Sequence, residues 1–335
     1  MVRPDAPPLV TAGITDRRSD FAALFEQALG EREAARWLHG VASPEGQQEA
    51  ATRRQRFAAR AASTVVLVVP GLFGDCVAAQ SVPFGDGVMR DAERNRTEAY
   101  RQYDDLGLHA LRLVALPGRH SAAANGRLLA ETIRSEAAQP GIGRIVLVAY
   151  SKGTTDALHA LELLRAKGAL PTQPTALVSV AGLVHGSLVV ERHAALYEAL
   201  APGGKMFGCT ASDGHELAEL SPPQRAAWLA AHPLPRGPRY YSIVAHATQD
   251  ETALLLRPFH AELAAVDLRN DGQLIARNAL LPGSELLAEA RTDHWGVALP
   301  LDRHPWALVR AAVTPHAYPR EALLRATLWW VIGER

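Results

Sequence analysis

Arg144-Ile-Val-Leu-Val-Ala-Tyr-Ser-Lys-Gly-Thr-Thr-Asp-Ala-Leu-His-Ala-Leu161 joins two patterns in one stretch. Its first half is an apolar, β-branched run of the kind buried on both faces of a parallel sheet. Its second half has apolar residues at helical spacing. A chain that turns from strand into helix within a few residues brings its backbone into close approach two positions before and two after the turn, where bulky side chains collide. Ala149 and Gly153 occupy those positions. The turn leaves Ser151 pointing out at the carboxyl edge of the sheet, with a helix amino terminus aimed at any negative charge that forms there. Ligands of open α/β sheets bind at that edge, so Ser151 is the candidate nucleophile.

Similar strand patterns recur on both sides, at 63–70, 108–116, 175–181, 239–245 and 285–292. Helical patterns lie between them at 89–104, 122–136 and 154–167. The alternation predicts an α/β fold with a doubly wound, mostly parallel sheet. The rhythm breaks at 183–238, where helical stretches 191–200 and 221–231 suggest a cap or lid. Ahead of the first strong strand, residues 1–15 read as an irregular arm. Residues 19–38 and 45–62 read as two amphipathic helices, the first through Phe21, Leu24, Phe25, Ala28 and Leu29. The organisation expected is thus a helical extension over 1–62 and one α/β domain over 63–335 that carries the cap. Further helices are expected at 305–312 and 320–332. The helical extension is also a candidate dimerisation or docking element, so a homo-oligomer is one of the expectations.

Composition narrows the partners. The 335 residues are 48% hydrophobic and 21% charged, with 35 basic and 35 acidic side chains. That balance describes a folded chain with no net field toward nucleic acid or an anionic membrane. The start shows no basic end followed by an uninterrupted apolar core, and nowhere are there about 20 uncharged apolar residues in a row. The reading is therefore a cytoplasmic protein with no stable membrane insertion. The only two cysteines, Cys76 and Cys209, allow neither a disulfide framework nor a CxxC metal site, and leave two thiols or a single bridge.

A serine hydroxyl needs a base to take its proton and an acid to orient that base. Of 13 histidines, His294 follows the last predicted strand in Arg291-Thr-Asp-His-Trp-Gly, where a loop swings it over the sheet edge. After the strand ending at Ala245, Asp271 and Asp250 are the candidate acids. Asp271 is preferred because Asn270-Asp271-Gly272 is a strong turn signal. Asp293 reads as a solvated loop charge. The glycine-bearing loop Pro70-Gly-Leu-Phe-Gly-Asp75, after the first strong strand, offers the Leu72 N–H as one oxyanion donor, and the Lys152 N–H is the other. Phe73, Tyr150, Leu183 and Val184 are the candidate substrate-binding residues. With Met206, Phe207 and Trp228 of the cap, the apolar loops point to an uncharged acyl group. No metal or other cofactor is expected.

These residues resemble the α/β-hydrolase superfamily, and within it the lipase and serine esterase branch. The order Ser151, Asp271, His294 matches that superfamily's order of nucleophile, acid and base. Asn270-Asp271-Gly272 followed by Ala279-Leu-Leu-Pro-Gly283 looks like the acid loop of bacterial lipases. Gly182-Leu-Val-His-Gly-Ser187 looks like the stretch after their post-elbow strand. The resemblance runs from about Ser63 to Pro300. It departs from the usual lipase pattern at Ala149, where the first elbow glycine is replaced, and at Pro70, which stands where a histidine is common. It implies ester cleavage on a small-molecule ester or acyl substrate. Thioesterase, acyltransferase or intracellular polyester depolymerase activity would use the same triad. A catalytically silent member that binds a ligand or partner is the alternative from another class.

Overall fold

The computed structural model describes residues 9–10, 13–30, 33–75, 82–85, 99–199, 210–304, 306–313 and 317–334. Cys76, Cys209, Met206, Phe207 and most of the 89–104 helical pattern lie outside them. Seven parallel strands form one sheet in the order β1-β7-β6-β5-β4-β2-β3. They are β1 (Thr15–Asp16), β2 (Thr64–Val69), β3 (Ala110–Leu113), β4 (Arg144–Tyr150), β5 (Thr175–Val180), β6 (Arg239–His246) and β7 (Glu285–Arg291). Six of these were expected from the sequence. The seventh, β1 (two residues), starts where the stretch read as an irregular arm ends, and is too short for any periodicity to show. β3 is shorter than its apolar run because it sits at the sheet edge, bonded to β2 alone.

The alternation of side chains along each strand sorts them onto two covered faces. Val65, Leu67, Val69, Ile145, Leu147, Ala149 and Leu177 face α4 (Ala122–Ala137) and α5 (Lys152–Ala166), meeting Leu129, Ile133, Leu158 and Leu161. Val66, Val68, Val146, Val148, Val178 and Ile243 face the other way. That face is covered by α1 (Arg18–Leu29), α3 (Pro44–Arg60) and α10 (Arg320–Ile332), through Phe21, Leu24, Phe25, Phe57, Leu323 and Trp330. The amino-terminal helices therefore share the core of the sheet itself. Phe21 stands edge-on to Trp330, and the Arg53 guanidinium lies 3.6 Å from the centre of that indole.

The pattern read as one helix over 19–38 is two. Gly30 ends α1 in the left-handed region (φ 77°), its N–H bonded to the Glu26 carbonyl, and only the short α2 (Ala34–Trp37) follows. α3 starts where Ser43 accepts the Gly46 N–H at 3.0 Å ahead of Pro44, a cap worth about 1 kcal/mol. Within 183–238 lie α6 (Leu188–Ala199), kinked at His193, and α7 (Pro222–Ala231). α8 (Arg257–Ala264) follows β6, and α9 (Ala307–Ala312) precedes α10. Among the described residues, no helix is long and apolar enough to cross a membrane.

Candidate active site

β4 passes into α5 through a single residue. Ser151 adopts φ 53° and ψ −126°, a conformation that side-chain-bearing residues rarely take and that costs on the order of 1–3 kcal/mol. The close packing around it explains the neighbouring small residues. A Cβ on Gly153 would fall 2.5 Å from the carbonyl oxygens of Val69 and Pro70, and one on Gly71 would fall 3.0 Å from the Ser151 Cβ. Ala149 is fully buried against the α4 and α5 face. The helix begins at Lys152, two residues before the sequence pattern suggested, and its Thr154 N–H donates to the Ser151 carbonyl at 3.1 Å.

The structure brings together all three predicted members of the triad. His294 Nε2 is 2.9 Å from Ser151 Oγ, and His294 Nδ1 is 2.7 Å from Asp271 Oδ2. The tautomer that satisfies both bonds has Nδ1–H donating to the carboxylate and Nε2 accepting from the serine hydroxyl. The other carboxylate oxygen, Asp271 Oδ1, accepts the N–H groups of Gln273 and Leu274 at 2.8 and 2.7 Å. The His294 N–H donates to the Asp271 carbonyl at 2.9 Å. Asp271 is thus fixed on both oxygens and His294 is tied to it twice. All three residues are buried. Gly272 at φ 85° makes this turn, as the Asn-Asp-Gly signal required, and its N–H donates to Asn270 Oδ1.

The alternative acid, Asp250, is exposed beyond β6, and its backbone carbonyl accepts from Arg257. Asp293 corrects the sequence reading, because it is fully buried and not a solvated charge. Its oxygens accept the N–H groups of Ala253 and Gly296, both at 2.7 Å, which holds the loop that carries His294. Those backbone partners replace water around the charge.

Ser151 and His294 face an apolar cavity of about 270 Å³, lined by Leu72, Phe73, Tyr150 and Leu183 from the predicted set. Val184 is elsewhere. It packs into the core under α4 and α5, and its carbonyl accepts from Arg225. Trp228 likewise stacks on His159 of α5, away from the cavity. The sequence reading missed Val190 and Tyr197 of α6, and also Leu220, Gln273, Trp295 and Leu299. Gln273 was within reach of the pattern, since it follows Asp271 by two residues. The Tyr197 hydroxyl donates to the Gln273 side-chain carbonyl. Lys152 points its side chain away from the cavity and into the core, where Nζ lies 2.6 Å from Asp156 Oδ1. Asn125 donates to the other Asp156 oxygen at 2.9 Å. Burial raises the pKa of the Asp156 carboxyl despite both partners.

Compared with solved structures, the chain is similar along nearly its whole length to the crystal structure of the metagenomic carboxyl esterase MGS0156. The two share 31% identity at a TM-score of 0.76, over 98% of this chain and 96% of that one. The chain belongs to the α/β-hydrolase superfamily. Two structures of the Bacillus licheniformis lipase BlEst2 share the fold of this α/β-hydrolase. The mature form has 20% identity and a TM-score of 0.51, over 70% of this chain and 86% of that one. The propeptide form has 18% identity and a TM-score of 0.52, over 70% and 47%. No protein-family model matches the α/β-hydrolase sequence, and neither does any curated protein.

Proposed function

We propose that this α/β-hydrolase is a serine hydrolase that cleaves carboxylic esters through an acyl-enzyme. The observation that carries the reading is the unbroken hydrogen-bonded chain from Ser151 through His294 to Asp271, opening on an apolar cavity. Similarity to a carboxyl esterase along almost the full chain supports it.

In this reading Ser151 Oγ attacks the acyl carbon while His294 Nε2 takes its proton, and Asp271 stabilises the imidazolium. The oxyanion that forms accepts the N–H groups of Leu72 and Lys152, one from the 71–75 turn and one from the start of α5. His294 then returns the proton to the leaving alcohol. In the second half the same nitrogen takes a proton from water as it attacks the acyl carbon, then gives that proton to Ser151 Oγ as the acyl–Oγ bond breaks and the acid is released. Leu72, Phe73, Leu183 and Val190 suit an uncharged acyl group, and the protein works as a cytoplasmic enzyme on a small-molecule ester, without a metal or other cofactor.

The test is hydrolysis of p-nitrophenyl esters of graded acyl length by wild type and Ser151→Ala. Substitution of the nucleophile is expected to lower kcat/KM by at least about 10³-fold. Equal rates would overturn the assignment. A fluorophosphonate probe should label the wild type and not the variant, whereas a silent binding protein would label in neither form.

A further inference from the structure

We infer that Arg119 is a positioning residue that holds the Leu72 half of the oxyanion hole, an inference that rests on the serine-hydrolase reading above. The two donors of that hole are unequally supported. The Lys152 N–H belongs to the first turn of a helix and is held by the α5 backbone. The Leu72 N–H belongs to a tight turn closed by the Gly74 N–H on the Gly71 carbonyl at 3.2 Å. Within that turn Phe73 is left-handed at φ 60°, a backbone conformation that persists only where its surroundings enforce it.

The surroundings that enforce it are a second loop, Pro117–Ser121. Gly118 lies so flat on the turn that a Cβ there would sit 2.6 Å from the Gly74 nitrogen and 2.7 Å from that of Phe73. The Gly118 N–H donates to Asp75 Oδ1 at 3.0 Å, and Asp75 Oδ2 accepts the Thr210 N–H at 2.9 Å. Next to Gly118, the Arg119 guanidinium lies 5.6 Å from the centre of the Phe73 ring. Phe73 is thus confined between this cation and the cavity above Ser151.

Arg119 is itself immobilised. It is 4% exposed, and Nε and one terminal nitrogen both donate to Glu216 Oε1, at 3.0 and 2.7 Å. Glu216 is 2% exposed and also holds the Ser212 hydroxyl. A buried ion pair is a poor source of stability, because desolvating two charges offsets most of their attraction; what such a pair supplies is fixed geometry. Here the fixed object is a planar cation set against the residue that follows the proposed donor. A shift of about 1 Å in a catalytic donor is enough to cost on the order of 10²-fold in rate.

The experiment compares wild type with Arg119→Lys and with the double variant Arg119→Leu/Glu216→Leu, which removes the pair without stranding either charge. Turnover of p-nitrophenyl butyrate is measured alongside thermal unfolding. Binding is measured for a trifluoromethyl ketone, which adds Ser151 and places an oxyanion in the hole, and for the matching alcohol, which does not. In the folded double variant kcat should fall roughly tenfold or more with KM within about threefold, as for a weakened oxyanion donor. Ketone affinity should fall in parallel while alcohol affinity stays constant. Arg119→Lys, which keeps the charge and loses the planar, two-donor guanidinium, should shift the same way by less. A kcat within about twofold of wild type in the folded double variant overturns the inference, as does an equal loss for ketone and alcohol. If the double variant does not fold, the Lys variant decides by the same two readouts. A wild type without Ser151-dependent turnover overturns the hydrolase reading itself. A wild type that turns over no faster than the variants overturns only the role of Arg119.

Discussion

The Tyr150 hydroxyl donates to the backbone carbonyl of His294 at 2.9 Å, so the residue before the proposed nucleophile anchors the loop that carries the proposed base. The phenol is buried, and burial, followed by the nearby charge of Asp271, holds its pKa well above the ordinary tyrosine value. It therefore stays a donor throughout the accessible pH range. Tyr150→Phe is expected to leave the His294 carbonyl unpaired, costing about 1–3 kcal/mol of stability. It should also lower kcat by a factor of about 3 to 10, by loosening the 2.9 Å bond between His294 and Ser151. Urea unfolding and ester turnover of the same preparation measure the two effects, and a variant equal to wild type in both would remove Tyr150 from the account.

Gly71 and Gly153 should respond differently to alanine. In Gly153→Ala the new methyl meets two backbone carbonyl oxygens at 2.5 Å, which cannot give way without moving β2 from α5. A loss of about 3 kcal/mol or more is expected, visible as a lowered urea midpoint. In Gly71→Ala the neighbours are the Ser151 Cβ at 3.0 Å and the Tyr150 ring at 3.3 Å, which are side chains at the site. The expected outcome there is a larger loss of kcat than of stability. The reverse ranking would show that the elbow and the glycine turn are packed otherwise.

Stability should fall on acidification through His159. Burial, reinforced by the Arg225 guanidinium, lowers its pKa to about 3 from the ordinary 6.5. An Arg225 N–H group points at its Nε2 at 3.5 Å. Because the folded value is the lower one, the unfolded chain binds the extra proton first, so stability rises with pH across that window and is lost as pH falls below about 6.5. The contribution at pH 5 is at most about 2 kcal/mol. His159→Gln should flatten the urea midpoint between pH 7.5 and pH 5 relative to wild type. An unchanged slope would assign the pH dependence to other groups.

The helices ahead of β2 are expected to be indispensable to the fold. Phe21, Leu24 and Phe25 are fully buried on the same face as Val66 and Val148, and α10 packs beside them. Removing residues 1–60 would uncover that face, which at roughly 25 cal/mol per Å² of apolar surface costs more than the whole stability of an ordinary domain. Such a chain should be recovered only in the insoluble fraction. A folded, monomeric truncated protein detected by light scattering would assign these helices to assembly instead.

The sheet and the elbow were legible because their constraints are local. A β-branched run buried on both faces has one reading, and Ala149, Ser151 and Gly153 are spaced as a strand-to-helix turn demands. Asp271 was legible for a similar reason, since Asn-Asp-Gly marks a turn wherever it falls. What lay outside the reach of pattern is set by partners distant in sequence. Asp293 looks solvated until Ala253 and Gly296 supply its hydrogen bonds. Val184 and Leu183 are adjacent and equally apolar, yet one meets the core and the other the cavity, which only the path of the chain after β5 decides. The break at Gly30 was a local signal outweighed by the apolar spacing around it.

The position of β1 has a consequence for how the chain acquires its fold. Thr15 pairs with Glu285, and α1, which follows β1 directly, packs against α10 near the other end of the sequence. During synthesis α1 is therefore made long before α10, the helix that brings Trp330 to Phe21, although α3 follows it closely. Until then the edge of Phe21 that meets Trp330 stays uncovered, and closing so long a loop late makes the final docking slow and dependent on protection from aggregation.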